Sequence, residues 1–141
     1  MCLVLAGLTE ARATECGEAR ARIVAYNFCI SQGKRDIVGS AEGLIYISTK
    51  SGFNDVHIFN LPDNNGFVIV AGNDCLHPII GYGFESPITT INDNMRNWLE
   101  GCEQLARMAK NEKLTQSNPV GDEWEDLEEG LVGKGLSVGE S

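Results

Sequence analysis

The chain has 141 residues, enough for one domain, and 43% are hydrophobic, an ordinary share for a protein that builds its own core. Its formal net charge of −9 argues against nucleic acid or an anionic membrane surface as the main partner, because both attract Lys and Arg. The five cysteines include no C-x-x-C pair, which excludes a zinc knuckle and a thioredoxin-type motif.

The first residues are apolar. Cys2-Leu3-Val4-Leu5-Ala6-Gly7-Leu8 is followed by Ala11-Arg12-Ala13, which has the small-x-small form seen before signal cleavage. A basic start is missing and the run is short. Residues 1–13 therefore read as a truncated signal segment, with the first turn of a helix as the alternative. A signal implies a secreted or periplasmic protein; a helix turn implies a cytoplasmic one. Nothing else approaches the roughly 18 apolar residues of a membrane span, so no span is expected.

Glu15 to Gln32 is predicted to be a helix. Its stripe is Ala19, Ile23, Tyr26 and Ile30, widened by Ala21, Val24, Ala25 and Phe28, and Gly33 stops it. Residues 34–43 read as a loop. Leu44 to Thr49 and Val56 to Leu61 are short β-rich runs. In the second, Val56, Ile58 and Asn60 share one face, and His57, Phe59 and Leu61 the other. Pro62-Asp63-Asn64-Asn65-Gly66 is the clearest turn, since Asn-Gly reaches positive φ at little cost. Gly66 to Gly72 is apolar on both faces, the mark of a central strand. Pro78 to Gly83 is a fourth strand, whose Pro and glycines suit an edge or a bulge.

A second helix opens near Thr90, with Asn92 or Asp93 as N-cap. Its expected buried stripe is Met95, Trp98, Leu99, Cys102, Leu105 and Met108. Trp98 is accordingly read as core rather than as an interface anchor. Residues 111–121 read as a linker, 123–129 as a short acidic helix and 130–141 as a flexible end. The expected fold is α+β: an antiparallel sheet of three to four strands, with the N-terminal and C-terminal helices packed on one face. The expected organisation is residues 1–13 as signal, 15–114 as domain and 115–141 as an acidic, then glycine-rich tail.

No catalytic constellation is evident. Cys75-Leu76-His77 is the one local Cys/His pair, but it lies in a turn before Pro78 and lacks a third group to orient the base. His57 sits mid-strand among apolar neighbours. No phosphate loop, dinucleotide fingerprint or calcium loop occurs, and no spaced ligand set for a metal. With an odd number of cysteines, at least one thiol is free in a monomer. No cofactor and no enzymatic activity are expected.

Asp55 to Asp74 (DVHIFNLPDNNGFVIVAGND) resembles the hairpin of the streptopain propeptide, from a family of papain-like cysteine proteases. Pro78-Ile79-Ile80-Gly81-Tyr82 is similar to that family's next strand. Asp93-Asn94-Met95-Arg96-Asn97-Trp98-Leu99 is similar to its following helix. Ala21-Arg22-Ile23-Val24-Ala25 with Phe28 fits its first helix more weakly. The similarity is continuous over roughly residues 19–114. A papain-like catalytic domain has no counterpart here, so the chain resembles a free-standing inhibitor or an isolated propeptide.

The resemblance implies an inhibitor of a streptopain-like cysteine protease, bacterial and exported, that blocks the active site and displaces the catalytic histidine. It implies that Asn94 approaches that site. Asp93, Phe84 and Pro87 are the neighbouring candidate contacts, on the loop 83–90 and the helix start. A propeptide of a truncated zymogen acting as a folding chaperone, or a generic interaction domain, are the alternatives.

Overall fold

The computed structural model describes residues 14–130. The signal reading of residues 1–13 and the flexible-end reading of 131–141 lie outside the described residues. Helix α1 spans Glu18–Ser31, α2 Arg35–Val38, α3 Asp93–Asn111 and α4 Asn118–Glu129. Strands β1 (Ile45–Tyr46), β2 (Val56–Asn60), β3 (Phe67–Ala71) and β4 (Ile79–Gly83) form one antiparallel sheet in the order β1-β2-β3-β4. This is the expected α+β fold.

The hairpin forms where expected. Asp63 and Asn64 adopt left-handed φ of 59° and 60°, and Gly66 takes φ +133°. A Cβ on Gly66 would lie 2.1 Å from the Gly83 carbonyl oxygen, so a side chain there would separate β3 from β4. β1 is shorter than predicted because the chain turns at residues 48–52. Ser48 Oγ accepts from Ile58 N–H at 2.5 Å and so replaces a ladder bond. Residues 34–43, expected as loop, hold α2 and a 3₁₀ turn at Ala41–Gly43.

Helices cover both faces of the sheet, not one. On one side α1 and α4 bury Ala21, Val24, Ala25, Cys29, Val120, Trp124 and Leu127 against Phe59, Val68 and Val70. On the other, Leu99 of α3 joins Phe53, Val56, Ile58, Ile69 and Ile88. The alternation along β2 requires this, since Val56 and Ile58 leave the strand opposite to His57 and Phe59. The α1 stripe is also corrected. Ile23 and Ala19 are exposed, and the small residues Ala21, Ala25 and Cys29 face inward, allowing close approach.

Helix α4 starts earlier than predicted. Pro119 stands in its first turn, where a missing N–H costs nothing, and Ser117 caps it. The segment assigned to a tail after residue 114 thus packs into the core, its acidic residues facing solvent around buried Val120, Trp124 and Leu127. Arg20 ties these parts together. Its Nη2 donates to Asp74 Oδ2 at 2.9 Å, its Nε donates to Glu128, and its guanidinium lies 4.7 Å from the Trp124 ring centre. Trp124 Nε1–H donates to the Leu76 carbonyl at 2.7 Å. One buried ring therefore anchors α4 to α1 and to the β3–β4 turn. Trp124→Ala should cost about 3–5 kcal/mol, read as a lower urea midpoint.

Candidate functional site

The loop from β4 to α3 is held by a side chain that imitates a strand. Asn60 Nδ2 donates to the Ile88 carbonyl, and Asn60 Oδ1 accepts from Ile88 N–H, both at 2.9 Å. Ile88 is thereby pressed into the α3-side core. Pro87 beside it is half-buried. Asn92, not Asp93, caps α3, its Oδ1 accepting from Met95 N–H at 2.8 Å. This leaves Asp93 and Asn94 exposed in the first turn, and the Asn94 side chain makes no hydrogen bond among the described residues.

The candidate contacts do not all face the same way. Asp93 and Asn94 project from α3. Phe84 turns to the α1 side, stacked on Phe28 with ring centres 6.4 Å apart and capped by Lys34 Nζ at 5.0 Å. Phe84 is thus largely a packing residue that steers the loop.

Trp98 overturns its core assignment. It is 45% exposed, as are Leu105 (51%) and Met108 (41%), whereas Leu99, Glu103, Ala106 and Ala109 are buried. Two stripes of the same spacing lie side by side on α3. Met95, Leu99, Cys102, Ala106 and Ala109 face the sheet; Asn94, Trp98, Gly101, Leu105 and Met108 face out. Trp98 leans on the sheet edge, where a Cβ on Gly81 would come within 3.2 Å of its ring. Asn94 and Trp98, one helical turn apart, therefore stand together on a fixed surface beside β4.

What fixes α3 is a residue that periodicity does not reveal. Glu103 is buried, and its Oε2 accepts from Asn54 N–H at 2.6 Å and from Asp55 N–H at 2.7 Å. Arg107 approaches both Glu103 (3.6 Å) and Asp55 (3.2 Å). No local pattern announces a carboxylate bonded to backbone nearly fifty residues away.

The other chemical candidates are engaged elsewhere. The Cys75 thiol donates to the Thr115 carbonyl, while His77 Nδ1 meets Glu123 Oε1 at 2.7 Å. Burial pushes the Cys16 and Cys29 thiols up to about 12, so neither supplies a thiolate near neutrality. No metal-binding group and no disulfide occur among the described residues, and no helix there is long and apolar enough to cross a membrane.

His57 is buried between two partners. The Cys16 carbonyl only accepts, so Nε2 carries the proton (2.6 Å) and Nδ1 accepts from the Tyr46 hydroxyl (2.7 Å). Burial lowers its pKa below 6.5, against the opposing pull of the Cys16 carbonyl.

A family model described as Spi protease inhibitor matches residues 13–106. This chain belongs to the Spi protease inhibitor family. The matched stretch runs from the residue before the described region through the sheet and most of α3, and so includes Asn94 and Trp98. The thiol protease/hemagglutinin PrtT of Porphyromonas gingivalis is 31% identical over 65 residues. That alignment covers 45% of this chain and 8% of the relative, so the chain spans less than a tenth of that protein's length. No solved structure matches the chain.

Two outcomes follow from the geometry. Trp98→Ala should change stability by less than about 1 kcal/mol, whereas Glu103→Ala should cost roughly 2–4 kcal/mol, both by urea denaturation. For His57, the unfolded chain binds a proton near pH 6.5 and the folded chain only at lower pH. Stability should hold above about pH 7.5 and fall as pH drops through 6.5, levelling off below the folded pKa. The urea midpoint followed from pH 7.5 to 5 checks this, and His57→Gln should lose that component.

Proposed function

We propose that this Spi-family chain inhibits a streptopain-like thiol protease by seating the start of α3 against the active site. The observation that carries this is the exposed pair Asn94 and Trp98 on a helix anchored from behind by Glu103. Asn94 makes no side-chain hydrogen bond among the described residues, and Trp98 rests on the sheet edge with 45% of its surface exposed. An exposed indole is a strong anchor for a partner, and an amide beside it both donates and accepts. Asp93 and Pro87 are further candidate contacts, and Phe84 sets the loop from the α1 side. The working unit includes α4, which completes the core.

The same geometry disfavours cleavage at this site. A protease cuts extended chain, but the bonds beside Asn94 are helical, with Arg96 N–H donating to the Asn92 carbonyl at 2.8 Å. The site therefore offers side chains rather than a scissile strand. Membership in an inhibitor family and the engaged Cys75 and His77 both favour a binding role over a catalytic one. Export alongside the target protease fits this role.

Asn94→Ala should weaken inhibition of a streptopain-like protease about tenfold or more, with an unchanged melting temperature. Equal inhibition constants for variant and wild type would remove Asn94 from the contact. Stoichiometric inhibition of the mature enzyme would also set the chain apart from a folding chaperone.

A further inference from the structure

The outer edge of β4 is open, because the sheet ends there among the described residues. The direction of its main-chain groups follows from the ladder. Leu61 N–H donates to the Gly66 carbonyl, so by alternation Val68 and Val70 turn their groups to β2. Phe67, Ile69 and Ala71 then turn theirs to β4, and Ala71 N–H does donate to the Pro78 carbonyl at 2.9 Å. The pairs Phe67–Gly83 and Ile69–Gly81 thus carry the ladder bonds. Tyr82, opposite Val68, presents its N–H and C=O outward.

That edge has an apolar wall on each face. Trp98 rests over Gly81 on the α3 side. On the other side Tyr82, 51% exposed, meets Phe28 edge-on at 4.8 Å and Phe84 at 5.4 Å between ring centres. Proteins commonly guard an edge with charge, proline or a bulge. Here Pro78 and the bulge opposite Ile69 and Val70 guard only the first half. Gly81-Tyr82-Gly83 carries no charge and no such guard.

We infer that β4 accepts an extended segment of the target protease as a fifth strand. This rests on the inhibitory reading above and deepens it. An extended backbone matches an outward N–H and C=O on one residue and continues along the edge, and its side chains would alternate between Trp98 and the Tyr82–Phe28–Phe84 wall. Trp98 belongs to both this edge and the Asn94 surface, so the two form one continuous contact. A second copy of the chain is the poorer occupant, since each copy carries a net charge of −9 and the two repel.

The test uses the whole chain and a streptopain-like thiol protease. Tyr82→Pro deletes the outward N–H without removing a ladder bond to β3, as an edge strand tolerates. It should weaken inhibition roughly tenfold, while Tyr82→Phe stays within about twofold. The Tyr82 amide should exchange its hydrogen quickly in the free chain and become protected in the complex. If wild type inhibits but this amide stays unprotected, the strand contact is refuted and the inhibitory reading stands. That amide decides alone if Tyr82→Pro does not fold. If wild type inhibits no such protease, both fail. A dimer protecting the Tyr82 amide without protease overturns the protease segment as occupant.

Discussion

Strands β2 and β3 bury side chains on both sides of a sheet only four strands wide. Val56, Ile58 and Ile69 leave it in one direction, and Phe59, Val68 and Val70 in the other. Burying each such side chain is worth about 1.5–3 kcal/mol, so neither face can be left to water. A single helical layer therefore does not suffice. The α1–α4 pair closes one face, and α3 with the loop before it closes the other. The outward stripe of α3 and the free edge of β4 are what remains once both faces are covered.

Much of this was legible in the sequence, and the failures have physical causes. The alternation in Val56 to Leu61, the Pro62–Gly66 turn and the two-faced apolar run after it specify a hairpin locally. The same two-faced run also implied helices on both sides, a consequence that only the three-dimensional packing makes plain. On α3 the inner and outer stripes are neighbours with identical spacing, so Trp98, Leu105 and Met108 are indistinguishable from core by period alone. On α1 apolar or small residues lie on more than one side of the helix, and tertiary fit chose the smallest side for burial. Arg20, Asn60 and Glu103 act over long separations in sequence and leave no local pattern.

The surface proposed for inhibition was legible in a different way. Charge and composition only removed possibilities, and the chemistry-bearing residues pointed to no reaction. The likeness of residues 93–99 to a propeptide helix placed attention on Asn94, and membership in the Spi inhibitor family agrees with a protease-directed role. Packing places two aromatic residues of opposite expectation. Phe84 is committed to Phe28 and Lys34, whereas Trp98, assigned to the core, stands in solvent beside Asn94.

The two layers are held with unequal strength. The helix pair shares a large core and the Arg20–Asp74–Glu128 ion cluster, while α3 meets the sheet through a smaller core and the Glu103 carboxylate. Local opening follows such inequalities, so α3 is the layer expected to open before the helix pair on the other face. The helix proposed to face the protease thus belongs to the layer with the smaller core. Complex formation through α3 would then tighten the more loosely held of the two layers, and part of the binding free energy would be spent on stilling it.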